Sequence, residues 1–281
     1  MRSTTAGVVR GAVSLMLAAL LGTAAVAQSP RLKNIELCNG KDRSSPDFQI
    51  EGCTALIDSS GETTTTLAIA HNNRGDAYTA KQEYDRAIQD FDESIKLNPE
   101  YARAFNNRGV AYQKKGEYDR AIEDLDRSIK MNPNYAGAFA NRALAYQAKG
   151  EYDRAGPDYD EAIRLQPTLG AVWNGRCWNR AILGELQEAL ADCNEALRLA
   201  SNVSATLDSR GFTYLKMGQW DLAIVDYSSA LRLDSNLVTS LYGRGLARLK
   251  NGDRTGGNAD IAAAKAIKPA IAEEFAHYGV Q

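Results

Sequence analysis

Residues 105–133 read FNNRGVAYQKKGEYDRAIEDLDRSIKMNP, and this stretch decides the fold. Two runs suited to helices flank Gly116, and Pro133 follows the second. Glycine accommodates a backbone reversal, and proline marks a place where a helix can end. A helical hairpin is predicted, in which the small Gly109 and Ala121 let two antiparallel helices approach closely.

The same features recur in both directions at a step of 34 residues. Arginine stands at Arg74, Arg108, Arg142, Arg176, Arg210 and Arg244, and aspartate at Asp90, Asp124, Asp158, Asp192, Asp226 and Asp260. Alanine stands at Ala87, Ala121, Ala155, Ala189 and Ala223, with Gly257 in the sixth place. Chance does not produce three columns in phase. Small residues recur at Gly75, Gly109, Gly211 and Gly245, turn glycines at Gly116, Gly150, Gly184 and Gly218, and prolines at Pro99, Pro133, Pro167 and Pro269. One hairpin cannot bury its apolar face alone, so the copies must stack, with Phe91, Leu125, Tyr159 and Tyr227 filling the space between neighbours.

Unit length and the placing of aromatic, glycine, alanine and proline residues resemble the tetratricopeptide-repeat family. Membership implies an all-α fold, a right-handed α-solenoid of six to seven hairpins with a C-terminal capping helix. Counted from Ala68, the units are 68–101, 102–135, 136–169, 170–203, 204–237 and 238–271. Before them, 28–67 reads as a degenerate hairpin and connector, because Cys53-Thr54-Ala55-Leu56-Ile57 resembles Cys193-Asn194-Glu195-Ala196-Leu197. After them, 269–281 reads as the capping helix and tail, covering the exposed end of the stack. Ala143 and Cys177 depart from the small glycine, and Arg180 and Arg248 from the tyrosine at Tyr78, Tyr112, Tyr146 and Tyr214. Pro157, after Gly156, predicts a kink or a delayed helix start in the third unit.

The first 27 residues carry Arg2 and Arg10, an apolar stretch from Ala12 to Leu21, and Ala25-Val26-Ala27. That is the layout of a cleavable signal peptide; about ten strongly apolar residues fall short of the roughly 20 that span a membrane. The expected location is therefore outside the cytoplasm, the bacterial periplasm first and secretion as the alternative, with no membrane span after the signal is removed. Lys and Arg total 33 against 35 Asp and Glu. So even a balance points away from nucleic acid and anionic membranes.

Cys177 and Cys193 fall where the family's paired helices touch most closely, so the resemblance implies a disulfide across that hairpin, with buried free thiols as the alternative. The similar spacing of Cys38 and Cys53 suggests the same staple. No Cys-x-x-Cys occurs, which argues against redox catalysis.

The resemblance also implies that positions 2, 5, 9 and 12 of each unit line a concave groove. These include Asn72, Asp76, Arg103, Asn106 and Gln113, a polar set, and Trp178, Phe212, Leu215, Tyr242 and Leu246, an apolar one. Aromatic residues there either anchor a peptide or helix or pack against neighbouring first helices or the terminal helix. Trp173 and Trp220 are expected in the packing. One subtype of the family clamps C-terminal carboxylates with lysine, asparagine and arginine; the matching positions here hold Asn72, Asp76, Asn107, Gly137 and Asn141, so that mode is not expected. The charged columns read as ion pairs within or between hairpins. His71 and His277 have no companions at metal-ligand spacing, and no phosphate loop or nucleophile elbow occurs. The expectation is a scaffold for a protein or peptide partner, without catalysis, metal or cofactor. An envelope assembly subunit and an enzyme with an unrecognised carboxylate site are the alternatives. Self-association into a homo-oligomer is compatible with either non-catalytic reading.

Overall fold

The computed structural model describes residues 30–40 and 45–280, so the signal-peptide reading lies outside the described residues. Seven antiparallel hairpins follow one another among them: α1 (Pro30–Cys38) with α2 (Pro46–Ile57), α3 (Thr64–Ala80) with α4 (Tyr84–Leu97), α5 (Ala102–Lys114) with α6 (Tyr118–Met131), and α7 (Ala136–Ala148) with α8 (Tyr152–Leu165). The series continues as α9 (Gly170–Leu183) with α10 (Leu186–Leu199), α11 (Ser204–Lys216) with α12 (Trp220–Leu233), and α13 (Val238–Lys250) with α14 (Arg254–Ile267), before a last short helix, α15 (Ile271–His277).

From α3–α4 onward, the turn inside each hairpin repeats one backbone bond. Glu117 N donates to Tyr112 O, Glu151 N to Tyr146 O and Gln219 N to Tyr214 O, each at 2.8–2.9 Å, around a glycine in the left-handed region. This is the glycine-capped helix end that satisfies otherwise orphaned carbonyls. In the α3–α4 turn the left-handed residue is Gln82, at φ 63°.

Each arginine of the column forks onto the aspartate of its own hairpin: in Arg108, Nε and Nη2 donate to the two carboxylate oxygens of Asp124 at 2.7 Å each. The third nitrogen reaches the preceding hairpin, from Arg108 to Asp92, from Arg142 to Asp126 and from Arg176 to Asp160. In the next two, the acceptors are Asn194 and Ser228. Arg74 finds Thr54 in the same way, which places Thr54 where Asn194 stands and supports the alignment of Cys53 with Cys193. The charged columns are thus ion pairs both within and between hairpins. Where Arg180 and Arg248 replace tyrosine, each adds a second guanidinium to the same carboxylate, Asp192 or Asp260. Their tyrosine counterparts Tyr78, Tyr112 and Tyr146 instead carry Arg86, Arg120 and Arg154 over the ring at 4.0–4.1 Å.

Size complementarity sets the interior. A Cβ on Gly75 would come within 2.6 Å of Phe91, and one on Gly211 within 3.0 Å of Tyr227. At the corresponding place in α9 and α10 stand Cys177 and Cys193, joined as a disulfide with Cα atoms 5.3 Å apart; Cys38 and Cys53 are joined likewise at 4.5 Å. Trp173 and Trp220 pack partly buried against the core clusters, as expected.

Pro157 corrects one of the two expectations placed on it, the delayed start. α8 starts at Tyr152, in register with Tyr84 and Tyr118, and contains the proline without a delayed start. The residues that follow hold it in place, since Asp158 takes the Arg142 fork and Tyr159 is buried. The first turn gains an outside donor as well, the buried Asn179 amide on the Tyr152 carbonyl at 3.1 Å.

Two stability outcomes follow. Gln82→Gly removes the cost of a side chain in the left-handed region and should raise the unfolding free energy by about 1 kcal/mol in urea titrations. Replacing the 177–193 disulfide with two alanines should cost about 3 kcal/mol. Cys177→Gly with Cys193→Leu, which copies the Gly109–Leu125 pair, should recover about 1 kcal/mol of that loss.

Candidate concave interaction surface

First helices touch the first helices of neighbouring hairpins (α3 with α5, α5 with α7, on to α11 with α13), whereas among the described residues no two successive second helices do. The first helices therefore form the inner, concave wall.

The wall's N-terminal half is stitched by side-chain amides. Asn73 donates to Asn39, Asn72 to Asn73, Asn107 to Asn72, Asn106 to Asn107 and Asn141 to Asn106, all at 2.9–3.2 Å. Asn72 and Asn106 are buried in this ladder, so their amides serve the wall rather than standing free in the groove. Gln113 caps it by donating to the Asn141 carbonyl. Arg103 is exposed and Asp76 half-buried beside it, paired at 3.3 Å with side chains 54% and 33% exposed. Burial pushes Asp76 up to about 6, against the pull of Arg103. Tyr101 and Tyr135 lie close enough to feel both charges, and burial raises both phenols.

The wall's C-terminal half is apolar and already occupied. Trp178, Phe212, Leu215, Tyr242 and Leu246 do converge, and α15 lies over them. The Phe212 ring centroid is 4.7 Å from that of Trp178 and 5.8 Å from that of Phe275; Phe275 is 4.8 Å from Tyr242, and Tyr278 is 5.4 Å from Trp178. Ile271 and Phe275 are buried, and Lys216 Nζ donates to the carbonyls of Tyr278 and Ile182 at 3.1 and 3.0 Å. The terminal helix thus forms as expected, but it turns inward across three hairpins. Of the two roles left open for the five apolar residues, packing against the terminal helix is the one seen. Ile271, Phe275, Tyr278 and Lys216 were not singled out in the sequence, although an apolar residue followed by aromatics four and seven positions later is a signal that could have found them.

Asp208 stands in α11 where Asn72 and Asn106 stand in theirs. It is buried, accepts bonds from Ser240 and Thr239, and burial pushes it up to about 6. Among the described residues, no group of three His, Cys, Asp or Glu side chains is placed to hold a metal ion, and no helix is long and apolar enough to cross a membrane.

Family models described as TPR or tetratricopeptide repeat match residues 75–116 and 211–252, 102–135, 125–156 and 141–204. The chain belongs to the tetratricopeptide-repeat family. Among solved structures, a chain of the APC/C hetero-tetramer Cut9–Hcn1 is 18% identical over 85% of this protein, with a TM-score of 0.72; this chain spans 46% of its length. A tetratricopeptide-repeat protein from Parabacteroides merdae is 17% identical, with 88% and 98% of the two chains covered and a TM-score of 0.65. PilW, a type IV pilus biogenesis factor, is 17% identical, with 72% and 94% covered and the same TM-score. At such identities the likeness is one of fold. No curated protein matches the chain in sequence.

A carboxyl with a raised folded pKa binds its proton more tightly in the native state, so Asp208 lowers stability as pH rises from about 4 to about 6, and the loss is complete above that. Asp208→Asn should therefore be more stable than the wild type at pH 7, and the gap should close at pH 4. Urea titrations at the two pH values check both the sign and its disappearance.

Proposed function

We propose that this protein is a non-catalytic scaffold that holds a polypeptide segment along its concave wall, in an extracytoplasmic compartment. The observation that carries the reading is the occupied groove: the apolar half of the wall accommodates a short helix, with aromatic side chains seated at 4.7–5.8 Å from one another. The open Asp76–Arg103 section offers charge and hydrogen bonding beside it. One structural neighbour, YrrB, is described as a TPR protein with an unusual peptide-binding site; it is 20% identical, with 66% and 97% of the chains covered and a TM-score of 0.50. The extracytoplasmic placing draws on the N-terminal leader pattern and on two disulfides, which persist in oxidising compartments.

A second reading, an assembly subunit that associates through its outer surface, has its own observation. On α12, Leu222, Val225 and Leu233 are exposed.

Photo-crosslinking separates the two. A photoreactive residue at Arg103 or Gln113 should give a discrete protein adduct in cells of the source organism, and one at Val225 should not. Adducts from Val225 with none from the inner wall would replace the groove reading with the assembly one.

A further inference from the structure

We propose that Ile271–Val280 is a removable plug of the groove's apolar half, and that the polypeptide it gives way to is an amphipathic helix presenting one apolar and two aromatic residues at the spacing of Ile271, Phe275 and Tyr278. The inference rests on the groove reading and names the partner's chemistry.

Three observations support it. First, the segment is placed as a ligand would be. Stacked hairpins touch their neighbours only, yet this segment meets Trp178 of α9, Phe212 of α11 and Tyr242 of α13. Its inward residues follow the anchor pattern by which an amphipathic helix fills an apolar groove, while Glu273, Ala276 and His277 face solvent.

Second, the segment is built to detach. Its helix has seven residues, and helices that short have little stability of their own in water. Pro269 precedes it, and Gly279 at φ 78° follows it. Polar ties within the segment and its link, Tyr278 with Glu274 and Lys268 with Glu274, can survive its departure. Lys216 to the Tyr278 carbonyl is the polar tie to the wall that would break.

Third, an unplugged groove would expose Trp178, Phe212, Leu215, Tyr242 and Leu246 together, and a contiguous apolar surface of that kind invites aggregation. A tethered plug covers it until a partner arrives. Because the tether keeps the plug at high effective concentration, a partner prevails best with a second grip, and the exposed Arg103 and half-buried Asp76 lie on the same wall.

The test uses a fluorescently labelled synthetic peptide of residues 269–280, titrated into the full-length protein and into full-length Tyr278→Ala and Phe275→Ala/Tyr278→Ala variants. A self-occupied site binds added ligand with a Kd raised in inverse proportion to its open fraction, so the variants should bind the peptide about tenfold or more tightly than the wild type. The same peptide with alanine at both aromatic positions should not bind. Tyr278→Ala, which removes only a half-buried ring, serves where the double variant loses helical circular dichroism. Equal affinity for wild type and folded Tyr278→Ala, or no binding to any form, overturns the plug. So does a wild-type dimer that Tyr278→Ala converts to monomer, which would make the segment a swapped element between two copies. None of these outcomes touches the inner-wall crosslinks, so the groove reading is judged separately.

Discussion

The arginine fork is the interaction on which the stack depends. Each guanidinium holds two helices of one hairpin through a buried carboxylate and the preceding hairpin through its third nitrogen, as Arg108 does with Asp124 and Asp92. Taking such a pair out of water costs about as much as the attraction returns, so its contribution is specificity more than net stability. A fork this rigid fixes the rotation of a helix about its own axis, which a flexible lysine could not do. Once rotation is fixed in every hairpin, the same positions face the same neighbours along the chain.

Fixed rotation then makes side-chain size decisive. In α4, α6, α8 and α12 the large residue of the second helix lies over a small one in the partner helix, and in α8 and α12 its tip meets a glycine of the next hairpin. Tyr159 presses on Gly175, and Tyr227 on Gly243, where an added Cβ would sit at 2.7 and 2.3 Å. Where the large residue is Phe91 or Leu125, which end short of a phenol oxygen, the corresponding places hold Asn107 and Asn141, and the amide ladder runs through them. A tyrosine in one hairpin thus goes with glycine in the next, and the shorter Phe91 and Leu125 go with asparagine. The 177–193 disulfide occupies the same small–large site and replaces packing with a covalent bond.

How much of this the sequence shows depends on whether a feature repeats. Hairpin lengths, turns, charged columns and the positions of Cys177 and Cys193 recur at one interval, and they are legible because stacking forces identical geometry on every copy. Asn72 and Asn106 were assigned to the groove by their place in the unit; their burial depends on the pairing of amides in adjacent hairpins, which one unit does not display. Pro157 looked like an interruption because its local cost is plain. What overrides it lies elsewhere in space, in the Arg142 fork and in Asn179. The terminal helix was legible as a helix, but its path was not, since nothing after Pro269 follows the period.

That path changes how the solenoid behaves. In a stack whose hairpins meet only their neighbours, bending at one interface costs little at the next. α15 and the Tyr278 that follows it touch side chains of α9, α11 and α13 at once, so those three hairpins must keep a common curvature for Trp178, Phe212 and Tyr242 to stay in contact with the segment. Among the described residues, the Arg103–Asp76 section is bridged by contacts between neighbouring hairpins and carries no such strap. The two halves of one wall therefore differ in how they are joined as well as in polarity: the terminal helix straps the apolar half, and amides linking each hairpin to the next hold the polar one.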